Sequence, residues 1–160
     1  MREVHPHLFV GSAEDYKACR SEAGWSFLTC AKEPWHRSAL GYEGRSAPRE
    51  HPEYLMARRG DQLILNMVDA INAAYFHPEM MDAGVEFIEA ELEKGRNVLI
   101  HCNQGHSRAP GMAFYFLWKK RGFGKGKVFS DGEYEFKQHY PSYNPSEGIR
   151  EFIRVEWRRP

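Results

Sequence analysis

Apolar residues along the chain fall into short runs and into stripes of helical spacing, and the two kinds alternate. "HLFVGS" is a short apolar run that turns at Gly11 and reads as a first strand. Ser12 is placed to cap a following helix, with Asp15 three positions on in a capping-box arrangement. "WSFLTC", from Trp25 to Cys30, reads as a second strand, and "QLILNM" as a third that runs into the loop "VDAINAAYF". Pro78 suits the first turn of a helix, and Met81, Val85, Ile88 and Leu92 then form one apolar stripe until Gly95 stops it. "NVLIH" is compact and partly β-branched, as in the middle of a sheet. Pro110 to Trp118 is apolar nearly all round, which predicts a buried helix over 108–121, ended by Gly122 after Lys119, Lys120 and Arg121. A further helix is expected within 125–138. A last one opens on Asn144 as N-cap, Pro145 in the first turn and Glu147 at the third position, with Ile149, Phe152, Ile153 and Trp157 as its apolar face.

The stretch 31–60 breaks this rhythm. Trp35, His36, Arg37, Arg45, Arg49, His51, Arg58 and Arg59 are scattered among Pro and Gly, which reads as a long loop excursion with one helical turn near Pro52 to Ala57. Alternating strands and helices predict an α/β fold: a central, mainly parallel sheet of four to five strands flanked by helices, in one domain spanning 1–160.

Composition narrows the class without naming a function. The chain has 160 residues, enough for one sizeable core, and 22 basic residues balance 22 acidic ones. That balance gives no general argument for nucleic acid or an anionic membrane. Cys19, Cys30 and Cys102 match no zinc spacing and no disulfide framework, and no metal or cofactor is implied. No leader-like or membrane-length apolar segment occurs, so a cytoplasmic protein is expected.

"HCNQGHSR", from His101 to Arg108, lies between the strand at 97–101 and the buried helix. Ligands bind at the carboxyl ends of strands in open α/β sheets, and a helix N-terminus offers unpaired N–H groups to an anion. Asn103, Gln104, Gly105, His106 and Ser107 are small or polar, so the chain can curl around a phosphate, with Gly105 free to take a positive φ. Arg108 can grip two phosphate oxygens with its fork. The same positive field favours the thiolate of Cys102, which could attack phosphorus and form a phosphocysteine. His101 would orient the loop from behind.

With that loop on view, the chain resembles the protein tyrosine phosphatase superfamily, in its small dual-specificity branch. The resemblance rests on His101-Cys102, five residues and Arg108, on "HPHLFVGS", on Tyr75-Phe76 before a helix, on "NVLIHC" and on "YNPS" at 143–146. It implies Cys102 as nucleophile, Arg108 as phosphate clamp, and as general acid an Asp about thirty residues before the cysteine. Asp69, 33 positions before Cys102 and just after "LILNMV", is the match. Asp61 precedes the strand, Asp82 lies within a predicted helix, and Asp131 comes after the nucleophile.

One position departs from the family. The residue after the arginine is usually Ser or Thr, whose hydroxyl aids breakdown of the phosphocysteine; here it is Ala109. Slow hydrolysis of the intermediate is therefore expected unless another hydroxyl, Ser107 or Ser130, substitutes. The expected substrate is phosphotyrosine or phosphoserine/threonine of a protein or peptide. Alternatives are an RNA 5′-phosphatase served by Arg37, Arg45, Arg49, Arg58 and Arg59, a low-turnover phosphoprotein-binding module, and a rhodanese-like sulfur transferase. Trp35, Tyr42 and Tyr54 are candidates for a lid, and Cys30, before Cys19, is the candidate to resolve an oxidised Cys102.

Overall fold

The computed structural model describes residues 1–159. Its sheet is built from β1 (Arg2–His5), β2 (Leu8–Gly11), β3 (Trp25–Cys30), β4 (Met56–Arg59), β5 (Gln62–Leu65) and β6 (Asn97–His101). The strand order is β1-β2-β6-β3-β5-β4. The four inner strands are parallel, and β1 and β4 add antiparallel edges.

The sheet is thus six-stranded and mixed, with its parallel strands at the centre, rather than the mainly parallel sheet of four to five strands expected. Both missed strands are edges. β1 is largely exposed, and β4 turns Arg58 and Arg59 outward, so neither shows the apolar run that marks a buried strand. The helical turn expected near Pro52 to Ala57 is absent, because Met56 and Ala57 pair with Leu65 and Ile64. The rest of 31–60 is largely tied down. A turn over Lys32–His36 leads into α2 (Arg37–Leu40), and Arg37 donates to both Glu33 carboxylate oxygens and to the carbonyls of Tyr42 and Gly44.

The period of two along β6 sorts its side chains. Val98, Ile100 and the following Cys102 face the thick side of the sheet, while Leu99 faces the thin side. On the thin side lies α1 (Ala13–Cys19), opened by the expected Ser12–Asp15 capping box. On the thick side are α3 (Pro78–Glu93), α4 (Arg108–Arg121), α5 (Phe129–His139) and α6 (Glu147–Trp157). α4 is the central helix, with every residue from Ala109 to Leu117 buried. Phe114 stacks on Phe136 at 4.9 Å and meets Phe123, Phe129, Tyr143 and Trp157. Burying this aromatic cluster contributes about 2–3 kcal/mol per ring and fixes where the N-terminus of α4 points.

The start of α6 differs from expectation. Ser146, not Asn144, is the N-cap, and the helix begins at Glu147. Gly148 approaches Ala70 so closely that a Cβ there would lie 2.2 Å from the Ala70 carbonyl oxygen. That contact leaves Asn144, Pro145 and Ser146 in extended chain beside the Cys102 loop.

Candidate active site

Cys102 follows the end of β6 and is only 3% exposed. Its Sγ accepts the Gly105 N–H at 3.3 Å. The loop after it is fastened from outside through its carbonyls. Ala13 N–H donates to Asn103 O (3.0 Å), the Tyr140 hydroxyl to Gly105 O (2.8 Å), and Asn144 N–H to His106 O (2.7 Å). With those carbonyls engaged outward, the chain presents its N–H side inward, as an anion-binding curl requires. Gly105 has φ +80°, and a Cβ there would meet the Gly11 carbonyl group at 2.9 Å, so only glycine fits.

Arg108 begins α4. One of its terminal nitrogens donates to Met67 O (3.1 Å) and the other to Asn103 Oδ1 (2.7 Å). Asn103 in turn donates to Glu33 O (3.2 Å), which ties the fork to the turn after β3. Ser107 precedes the helix, but its side chain does not cap it. The Ser107 hydroxyl donates instead to Asp69 Oδ1 at 2.7 Å. A second hydroxyl, Ser146, donates to the same oxygen at 2.7 Å, and the Ser146 N–H donates to Ser107 Oγ at 2.9 Å. The carboxylate is therefore held at the rim by one oxygen, and no other bond to it is recorded among the described residues. Asp69, Cys102, Asn103, Gln104, His106, Ser107, Arg108 and Asn144 together line a cavity of about 370 Å³.

Behind the loop, His101 is fully buried, with Tyr16 stacked on it at 4.4 Å and Trp35 edge-on at 5.0 Å. Tyr16 OH donates to Gln62 Oε1, and Gln62 Nε2 donates to Thr29 Oγ1 at 2.7 Å. The Cys102 carbonyl can only accept, so in the tautomer that makes both bonds His101 donates Nδ1–H to it at 3.4 Å and Nε2 accepts the Thr29 hydroxyl proton at 2.7 Å. Burial lowers the His101 pKa from 6.5 to about 4, so the ring is neutral at pH 7.

The comparisons with known proteins bear on this arrangement. No family model matches the chain. A stretch of 46 residues is 41% identical to a protein of Acanthamoeba polyphaga mimivirus named "Putative tyrosine-protein phosphatase", and it covers 29% of this chain and 22% of that one. Among solved structures, DUSP15 superposes with a TM-score of 0.68 at 18% identity, over 99% of this chain and 87% of the other. The human tyrosine phosphatase-like serine/threonine/tyrosine-interacting protein gives 0.65 at 19%, over 98% and 94%. Human DUSP28 gives 0.64 at 17%, over 97% and 90%. The fold is that of the dual-specificity and tyrosine phosphatases.

Within this phosphatase-like fold Asp69, Cys102, Asn103, Gln104, His106, Ser107 and Arg108 line one cavity, whereas Gly105, His101 and Ala109 are buried and do not line it. Ala109 is fully buried. Other expectations fail. Ser130 is exposed on α5 and lines a different cavity, so it offers Cys102 nothing. Trp35 packs beneath the site against His101. Tyr42 bonds to His36, and Tyr54 lines a cavity of about 650 Å³ bounded by Arg49 and His77. None of the three lines the Cys102 cavity. Cys19 lies on the thin side of the sheet, whereas Cys30 shares the thick-side core with Cys102. Burial, then the charge of Cys102, pushes the Cys30 thiol well above its ordinary range.

Sequence reasoning missed Ser146, Asn144, the Met67 carbonyl, Tyr140 and the Thr29–Gln62–Tyr16 chain. Only "YNPS" carries a signal, as a helix start and as one of the segments behind the family resemblance. Among the described residues no group of three or more His, Cys, Asp or Glu side chains could hold a metal, and no helix is long and apolar enough to cross a membrane.

Proposed function

We propose that this protein hydrolyses phosphate monoesters through a phosphocysteine on Cys102, acting on phosphotyrosine or phosphoserine/threonine of proteins. The observation that carries the reading is one small cavity with Cys102 Sγ, the Arg108 fork and the Asp69 carboxylate on its walls. The Cys102 thiolate attacks phosphorus, an S–P bond forms and the P–O bond to the leaving group breaks. Arg108 and the loop N–H groups take up the charge on the equatorial oxygens. Asp69, held by Oδ1, delivers a proton from Oδ2 to the leaving oxygen. Water then attacks phosphorus, the same carboxylate takes its proton, and the S–P bond breaks to give phosphate and free thiolate. No step calls on a metal.

Slow breakdown of the intermediate is part of the reading. The Gly105 N–H is the hydrogen bond recorded to Sγ among the described residues, and Ala109 supplies no hydroxyl. Ser107, the remaining substitute, is committed to Asp69. A low-turnover, phosphoprotein-binding role is the second reading, favoured by Ala109 and by the likeness to a phosphatase-like interacting protein. An RNA 5′ end is less well served, because Arg37 and Arg59 are spent on Glu33 and Glu53, and Arg58 reaches Glu91 and the Gly60 carbonyl. Sulfur transfer leaves Asp69 without a task. The test is hydrolysis of 4-nitrophenyl phosphate in excess chelator. Turnover that Cys102→Ser abolishes supports the reading, and turnover that survives Cys102→Ser contradicts it.

A further inference from the structure

The peptide unit between Gly105 and His106 can face two ways, and only one of them suits an anion. Gly105 has no side chain to anchor it, and its φ of +80° lies where glycine moves freely. A peptide unit is planar, with its C=O and N–H pointing in opposite directions. While the Gly105 carbonyl points away from the Cys102 cavity, the His106 N–H points toward it and offers a donor to an oxyanion. Turned over, the same unit presents a carbonyl oxygen to the anion and repels it.

The first orientation is the one observed, and one side chain holds it. The Tyr140 hydroxyl donates to Gly105 O at 2.8 Å in a buried bond, and the His106 N–H donates to no protein acceptor among the described residues. Tyr140 is itself fixed. It caps the end of α5, its N–H donates to Phe136 O at 2.9 Å, and its carbonyl accepts from Tyr143 N–H at 3.0 Å. Its ring stacks on Phe136 with centroids 6.5 Å apart. Burial, then the charges of Cys102 and Asp15, push its phenol up to about 12, so the hydroxyl keeps the proton it donates.

Tyr140 reaches the loop from outside. It lines a neighbouring cavity of about 330 Å³, and Gln104 and His106 wall both that cavity and the one that holds Cys102. On its other side Gly105 gives its own N–H to Cys102 Sγ at 3.3 Å, the one hydrogen bond recorded to the sulfur among the described residues. A loosened Gly105 therefore weakens two things together, the donor aimed at the anion and the donor on the sulfur.

We infer that Tyr140 is a positioning residue for the phosphate cradle: its hydroxyl fixes the Gly105–His106 peptide with the N–H toward the anion, without touching the substrate. The inference deepens the phosphatase reading and rests on it for its kinetic arm only. The test compares alkylation of Cys102 by iodoacetate, an anion, with alkylation by iodoacetamide, its neutral counterpart, followed by mass of the Cys102 peptide. Both reagents form an S–C bond and expel iodide, so the ratio of their rates cancels the thiolate population and reports the anion cradle. Tyr140→Phe keeps the ring on Phe136, lowers that ratio about fivefold and lowers kcat/KM for 4-nitrophenyl phosphate about tenfold. Ser142→Ala, in the wall of the same outer cavity and without a bond to the loop, changes neither. A folded Tyr140→Phe protein whose ratio stays within about twofold of wild type overturns the inference, whatever its melting temperature, as does an equal fall in Ser142→Ala. The orientation is also read without a substitution. In wild type, inorganic phosphate at a concentration that protects Cys102 from iodoacetate moves the His106 amide proton downfield, and an unmoved His106 amide overturns the inference. A wild type that alkylates but does not turn over aryl phosphate contradicts the phosphatase reading separately, and the alkylation ratio still decides the role of Tyr140.

Discussion

The loop that carries Cys102 and the loop that carries Asp69 meet in one cavity but are held in different ways. Residues 102–108 are clamped by main-chain carbonyls engaged from α1, from Tyr140 and from the Asn144 segment, and at their centre sits a glycine that nothing else can replace. The Asp69 loop is fixed at its root, where Met67 O accepts from Lys32 N–H and Arg108, and again where Ala70 O accepts from Gly148 N–H. Between those points Asp69 is exposed and held only by two serine hydroxyls, and Ile71 beyond is 83% exposed. A phosphate cradle works by being in place before charge develops, so rigidity is an advantage there. A proton donor must release its bonds and exchange protons within each cycle, and rotatable hydroxyls allow that.

The largest expected effect breaks the rigid side. Arg108→Ala removes the fork and frees the Asn103 and Met67 acceptors, and lowers kcat/KM for phosphotyrosine peptide about a thousandfold. A loss below tenfold in steady-state kinetics would mean that the loop N–H groups alone hold the phosphate.

The support behind the rigid loop shows in the pH dependence of stability. The His101 pKa lies at about 4 in the folded protein because the ring is buried, against 6.5 when unfolded. As pH falls, the unfolded chain takes up the proton first. This contribution is therefore complete above pH 6.5 and is lost as pH falls toward 4, by on the order of 3 kcal/mol. Burial lowers the pKa of His36 as well, so its contribution has the same sign. Urea midpoints between pH 7 and pH 4 measure the slope, which becomes shallower in His101→Gln.

The smallest effect sharpens the lightly held side. Ser146→Ala removes one of the two hydroxyls on Asp69 and slows hydrolysis of phenyl phosphate about fivefold. With 4-nitrophenyl phosphate, whose leaving group needs less protonation, the effect falls within twofold. Equal losses on both esters would give Ser146 a structural role only.

The same contrast explains what could be read in advance. The inner strands, α3 and α4 were legible because burial writes itself as apolar runs and stripes, and the Cys102 loop because strand, glycine-containing turn and buried helix are contiguous. β1 and β4 were not, since an exposed edge strand has no such pattern. The hold on Asp69 was not either. Its bond with Ser146 spans 77 positions in the chain, and that of Tyr140 with Gly105 spans 35, so no local pattern announces them. "YNPS" resembles a helix start because Ser, Asn and Pro favour caps and first turns. Ser146 does sit at the cap, but its hydroxyl is spent on the acid.

The most direct test of phosphocysteine chemistry is a pre-steady-state time course with an aryl phosphate, following aryl product and phosphate together in wild type and in Ala109→Ser. The account predicts a burst of aryl product near one per enzyme followed by slow phosphate release, with the slow phase faster in Ala109→Ser. Aryl product and phosphate released in step, with no burst and no gain in a folded Ala109→Ser protein, would contradict it.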